Sequence, residues 1–197
     1  MDIQSTNDEE LISLYYQGDQ EALKVIFQRH KDKLFNFALR FVGNRADAED
    51  AVSHVFMMVC EKRYAIKPGA SFKTWAYTVA RNICLSKIRS RGKFFSLWSP
   101  KNDPNYDQAI DVIDQKAIAR EQLSQKEIMA IIQNAINKLP EEQKEALLLR
   151  EYNGFTYEEI AQVLECSLEK VKVLIFRARN HLKDVLPPVL LEGEGLK

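Results

Sequence analysis

The sequence of 197 residues is poor in the residues that break helices or staple small domains: it holds seven glycines, six prolines and three cysteines. No segment shows sustained strand alternation with hairpin turns, so helical periodicity is the organising signal and an all-α fold is expected. Cys60, Cys84 and Cys166 are far apart and form no C-x-x-C pair. That argues against a disulfide framework and a zinc site. Each sits among apolar neighbours and reads as a small buried side chain in a reduced, cytoplasmic protein. No apolar run approaches the length of a membrane span, and Met1 to Glu10 is polar and acidic, unlike a secretory signal. There is no P-loop, nucleophile elbow or glycine-rich cradle. Asp50 and His54 are spaced to share a helix face as metal ligands, but His30 and His181 supply no further ligand pattern. Neither a metal nor a cofactor is expected, and an enzyme is disfavoured.

Acid is missing from one long block. Between Lys62 and Asn102 there are ten Lys/Arg and no Asp or Glu, although the whole chain balances 28 basic against 28 acidic residues. Seven aromatics lie in the same block: Tyr64, Phe72, Trp75, Tyr77, Phe94, Phe95 and Trp98. Basic groups neutralise phosphates and aromatic rings stack on unpaired bases, so the block suits single-stranded or partly opened nucleic acid. The other reading, a solvated helix face above a core stripe, stays open for this segment taken alone.

Capping residues and apolar spacing place the helices. Asp8 is expected to cap a first helix through Gln17, and Asp19 a longer one to about Val42, ended by Gly43. Asp47 is expected to open a third through Lys62. Pro68-Gly69 marks a loop. A fourth helix should run from Ser71 to near Ser90, with Trp75, Thr78, Val79, Ile83 and Ile88 inward. Asn102 to Gln115 then carries Asp103, Asp107, Asp111 and Asp114 without a Lys or Arg, which reads as an acidic linker. Beyond it, Ser124-x-x-Glu127 and Thr156-x-x-Glu159 are capping-box sequences. Pro140 fits the first turn of a helix and Gly154 the position past its end. The expected organisation is an N-terminal helical domain over 1–96, a linker over 97–121, a C-terminal helical domain over 122–186 and a tail over 187–197.

Thr156 to Lys183 has the plan of a helix-turn-helix: a short helix, a tight turn at Glu165-Cys166-Ser167 and a longer helix. Leu168, Val171, Ile175, Ala178 and Leu182 form its inner stripe. From Lys170 to Lys183 there are five Lys/Arg and no acid. A basic outer face on the second helix suits a major groove, where Lys and Arg reach phosphates and guanine edges. A helical hairpin with a solvated basic face is the plain alternative.

Four motifs occur in order: Asp47-Ala48-Glu49-Asp50-Ala51-Val52, then Phe72-Lys73-Thr74-Trp75-Ala76-Tyr77-Thr78-Val79-Ala80-Arg81-Asn82, then Leu139-Pro140-Glu141-Glu142-Gln143, and finally Phe176-Arg177-Ala178-Arg179. In content and order the chain resembles bacterial extracytoplasmic-function sigma factors, the two-domain group of the sigma-70 family. The resemblance implies a non-enzymatic promoter-specificity subunit. Its expected partners are core RNA polymerase (the β′ clamp helices and the β subunit), promoter DNA and an anti-sigma factor, with no membrane insertion. It assigns a polymerase surface to Asp50, Ser53, His54 and Phe56. It assigns capture of the single-stranded −10 element to Tyr64, Lys67, Lys73, Trp75, Arg81, Asn82, Lys87 and Arg89. It assigns duplex −35 reading to Lys170, Lys172, Phe176, Arg177 and Arg179. The rival function is a helix-turn-helix regulator of duplex DNA that never joins polymerase.

The chain also departs from the family pattern. Family members often carry Gln and Glu where this chain has Ser53 and His54. Thr78 and Val79 stand where primary sigma factors have a tryptophan pair. Lys172-Val173-Leu174 replaces a common Lys-Ser-Arg run. Val173 and Phe176 are apolar on an expected wet face, open to thymine methyl groups or to a partner protein.

Overall fold

The computed structural model describes residues 3–61, 71–98 and 124–191. Helices follow in chain order: α1 (Asp8–Tyr16), α2 (Gln20–Val42), α3 (Arg45–Cys60), α4 (Phe72–Trp98), α5 (Gln125–Asn137), α6 (Glu141–Leu147), a π-helical segment (Leu148–Tyr152), α7 (Tyr157–Leu164), α8 (Leu168–Val185) and α9 (Pro188–Leu191). There is no strand among the described residues, and the fold is all-α as expected.

Local chemistry sets the helix ends. Asp19 caps α2 through the Glu21 amide, and Gly43 ends it in the left-handed conformation at φ 78°, which glycine adopts without a Cβ clash. Both expected capping boxes form, at Ser124/Glu127 and Thr156/Glu159. Two expected caps are displaced toward the N-terminus, one by a single residue and one by three. Asn7, not Asp8, caps α1. Asn44, not Asp47, opens α3, accepting from the Asp47 amide at 2.9 Å. Asp8 is drawn away by stronger partners, ion-pairing with Arg29 and sharing a hydrogen bond with His30 Nε2 at 2.6 Å. Ser71 does cap α4, accepting from Thr74 N at 3.2 Å. The Phe72 amide is taken by Glu9 of α1 at 2.8 Å, a cap from a distant helix. Pro140 sits at the cap of α6, just before its first turn. α4 continues past Ser90 to Trp98.

In the N-terminal unit α2 packs on α1, α3 and α4, with Leu34, Phe37, Val55, Val59 and Tyr77 in its core. The inner stripe of α4 is rotated from the expected one. Phe72, Ala76, Tyr77, Ala80 and Cys84 are buried, while Trp75, Thr78, Val79, Ile83 and Ile88 are half-buried. Small Ala76 and Ala80 let the helices approach, which apolar spacing weighted toward large side chains does not register. Burial pushes the Cys84 thiol up to about 12, as expected of a thiolate kept out of water. Cys166 is half-buried and Cys60 is exposed, so the expectation of three buried cysteines holds for Cys84 alone.

The C-terminal unit packs α6 and α7 on α8, with the π-helical segment against α6 and α7. Ile160, Val163, Val171, Ile175 and Ala178 fill it. The turn between α7 and α8 places Glu165 at φ 52°, the left-handed region, and Ser167 caps α8. The two units touch each other: α4 lies on α7, and α2 meets the π-helical segment.

Candidate nucleic-acid interface

The C-terminal surface is built on α8. Lys172, Val173, Phe176 and Arg177 lie on one face at helical spacing, and all four are exposed, Phe176 at 65%. Leu174 points the other way and is buried in the core, so of the departure at 173–174 only Val173 alters the outer face. The two remaining expected cations turn to acids of their own unit. Lys170 donates to Glu142 at 2.7 Å, which raises its pKa. Arg179 donates to one Glu151 carboxylate oxygen through Nη2 at 2.6 Å and Nε at 3.2 Å. Surface pairs of this sort contribute about 0–1 kcal/mol and yield to a phosphate.

The N-terminal surface is built on α4. Lys73, Tyr77, Arg81, Leu85 and Arg89 recur every fourth residue and wind along one side of that helix. Asn82 is exposed, and its side-chain oxygen accepts from Arg81 at 3.3 Å. Trp75 is half-buried, its ring 5.7 Å from Phe72 and packed on the core, so it is no free stacking platform. Lys87 leaves this stripe for α3, bonding Asp50 at 2.8 Å and lying 3.5 Å from Asp47, and the Asp50 hydrogen bond chiefly raises its pKa. Tyr64 and Lys67, with the rest of the expected capture loop, lie outside the described residues.

On α3, Asp50, Ser53 and His54 are exposed, but Phe56 is only 7% exposed. Its ring meets Phe27 edge-on at 4.8 Å. The expected contact through Phe56 is therefore corrected. Phe27 of α2 and Met57 of α3 are the exposed large apolar groups beside it.

Along the winding stripe of α4 the C-terminal unit supplies acids. Arg81 donates through Nε to Glu145 at 2.7 Å. Lys73 lies 3.8 Å from Glu159 and 3.8 Å from the centre of the Phe155 ring. Arg89 is 3.9 Å from Glu141. Between them the Tyr77 ring meets Phe155 edge-on at 4.8 Å, and its hydroxyl accepts from Asn153 at 2.8 Å. Burial drives the Tyr77 hydroxyl well above its ordinary pKa of 10.0, so it stays neutral. Glu145 is 1% exposed, and one of its carboxylate oxygens has no partner. Burial raises its pKa, Arg81 lowers it, and the neighbouring Glu141 and Glu142 carboxylates add to the rise, so the net shift is upward. The pair therefore positions the units more than it stabilises them. Elsewhere in the seam Lys144 and Gln133 donate to the Phe41 and Arg40 carbonyls at 3.0 and 3.3 Å. Those carbonyls end α2, where a cation is favoured.

Sequence reasoning found the cations and missed Glu141, Glu145, Glu159 and Phe155 as their covers. One signal was there: Glu145 abuts the apolar run Ala146-Leu147-Leu148-Leu149, where a carboxylate is buried only with a partner.

Residues 26–94, from α2 through most of α4, match the family described as Sigma-70 region 2, and residues 129–182, from α5 through α8, match Sigma-70, region 4. Together these matches span more than half of the chain, in family order. The chain belongs to the sigma-70 family of sigma factors. It is 29% identical over 190 residues to the ECF RNA polymerase sigma-E factor of Haemophilus influenzae, covering 93% of this chain and 97% of that one. It is 29% identical over 196 residues to the RNA polymerase sigma-H factor of Pseudomonas aeruginosa, covering 94% and 97%. Among solved structures, the sigma factor RpoE in complex with the anti-sigma factor NepR from Bartonella quintana is similar at TM-score 0.63 and 24% identity, over 87% of this chain and 98% of that one. CnrH in complex with the cytosolic domain of CnrY is similar at TM-score 0.65 and 21% identity, over 95% and 99%. In this sigma factor region 2 thus comprises α2 to α4, region 4 comprises α5 to α8, and the acid-covered stripe lies between them.

Proposed function

We propose that this sigma factor is the promoter-specificity subunit of a bacterial RNA polymerase. The observation that carries this is the ordered pair of regions 2 and 4 in a chain whose relatives, matched over nearly their whole length, are RNA polymerase sigma factors. The two basic surfaces differ as the task requires. α8 offers an exposed helix face suited to duplex, and α4 offers Lys73, Arg81, Asn82 and Arg89 for the backbone and bases of an opened strand. Regions that meet separate promoter elements need no catalytic centre of their own, so the protein lends specificity to the polymerase and is not an enzyme.

On this reading Asp50, Ser53 and His54 on α3 dock on the β′ clamp helices, with Phe27 and Met57 as the apolar part of that contact. The β subunit is the further polymerase contact. An anti-sigma factor is the proposed regulator, as for the two similar sigma structures named with partners. No described helix is long and apolar enough to cross a membrane, and the proposed place of action is the cytoplasm, where polymerase works.

The test is reconstitution. Purified core polymerase mixed with this protein should start transcription from a discrete class in a promoter library, with two sequence elements at a fixed spacing. A helix-turn-helix regulator would bind duplex and fail to co-purify with core polymerase.

A further inference from the structure

The cations of α4 that the sigma reading gives to the −10 strand are already occupied, and by this chain. Lys73, Arg81 and Arg89 face Glu159, Glu145 and Glu141 of region 4. These carboxylates stand as anions on a basic, aromatic helix face, the places that strand phosphates take in the bound form. The flat contact between them is filled as well, since Phe155 lies against Tyr77 and under Lys73. An aromatic ring flanked by spaced anions presents the same chemistry as a base flanked by phosphates.

We propose that region 4 acts as an intramolecular mimic of the promoter strand, so that closure of the two regions and capture of single-stranded DNA by α4 exclude each other. The inference rests on the −10 reading of Lys73 and Arg81. Closure is built to be reversible. Glu145 is buried with one oxygen unpaired, a cost that opening relieves. Lys73 and Arg89 hold their acids at 3.8 and 3.9 Å, long for ion pairs and weak in water. Binding then exchanges carboxylates for phosphates on the same cations. The freed carboxylates take up counterions while the strand releases them, so the closed protein shows a shallower salt dependence than an opened one.

The experiment uses the full chain and a fluorescein-labelled, random-sequence single-stranded DNA, because the contacts at issue are to the backbone. Glu145→Lys sets a like charge against Arg81. Glu159→Gln removes the charge at Lys73 and keeps an acceptor for the Thr156 capping box, which guards against a variant that fails to fold. Asp32→Lys, the same charge change as Glu145→Lys on an exposed part of α2, controls for added positive charge. Small-angle scattering reads separation of the regions, and fluorescence anisotropy reads strand affinity. Expected for Glu145→Lys are a larger radius of gyration, an affinity about tenfold above that of the control, since closure hides the competent state, and a steeper salt slope. Glu159→Gln should move all three in the same direction by less. Opening with affinity equal to the control would overturn the −10 assignment of Lys73 and Arg81, and the mimicry with it. Folded variants that stay as compact as the parent would overturn the latch and leave the −10 reading standing.

Discussion

Lys172, Arg177 and Lys183 are the cations of α8 that stand exposed without an ion pair among the described residues, and Phe176 stands between the first two at 65% exposure. So exposed a ring contributes little to the core, and it is free to meet a partner surface. On duplex DNA, Lys172→Ala or Arg177→Ala should cut the salt slope by about one unit if the lost contact is to phosphate, or cost about 1–3 kcal/mol at one base position if it is to a base. Binding unchanged in both variants would remove α8 from the groove. Phe176→Ala should leave the melting temperature close to the parent's and weaken binding most where a thymine faces it, a selective loss that a base-substitution series reads. A second residue-scale consequence lies at the N-terminus. Burial pushes the Asp8 carboxyl up, but His30 and Arg29 outweigh it and hold it below its ordinary 3.8. A carboxylate with a depressed native pKa adds stability above its unfolded pKa and loses it as pH falls through the native one. The parent should therefore lose stability progressively below about pH 4. Asp8→Asn should cost about 1–3 kcal/mol at neutral pH and flatten that acid limb. Urea unfolding at a series of pH values checks both, and an acid limb of equal slope in Asp8→Asn would place the dependence elsewhere.

The helix-turn-helix depends on a turn that L-residues adopt at a cost. Glu165 sits at φ 52° to join α7 to α8, the only non-glycine residue of positive φ among those described. Glycine takes that conformation freely, so Glu165→Gly should raise stability by about 0.5–1 kcal/mol without changing DNA binding. A lower melting temperature would mean that the Glu165 side chain, and not the backbone, holds the turn. This turn was legible in the sequence because its neighbours are strong local signals: Thr156 and Glu159 box one helix and Ser167 caps the next. The ends of α2 were legible for the same reason. The starts of α1 and α3 slipped because Asn7 and Asn44 compete locally with Asp8 and Asp47, and the winners were set by distant partners such as Arg29. The face of α4 was misjudged because its packing is made by Ala76 and Ala80. Close helix approach writes itself in small residues, which apolar periodicity undercounts.

At the scale of the molecule the two units were legible because each buries its own stripes, but their seam was not. It is made of residues far apart in the chain, such as Arg81 with Glu145, 64 positions away, and Lys144 with the Phe41 carbonyl, 103 positions away. No periodicity carries such pairing. The site was half-legible in consequence: charge placed Lys73, Arg81 and Arg89 on the face proposed for the −10 strand, while the acids covering them read as ordinary solvated residues. The ring at the centre of the seam decides how tightly the units are coupled. Phe155 is fully buried, packed edge-on against Tyr77, and Tyr77 in turn lies 5.1 Å from Phe37 in the region 2 core. That chain of rings joins one core to the other, so unfolding of either unit should expose apolar surface on both. The parent should melt in a single calorimetric transition. Phe155→Ala should cost about 3–5 kcal/mol, and its particular signature is two resolved transitions, because the bridge between the cores is cut. Arg81 and Glu145 alone cannot hold them together, since burial of that carboxylate works against the pair. A single transition at a lower temperature would instead assign Phe155 to the core of region 4, and the coupling between the units would then have to run through Lys144 and the end of α2.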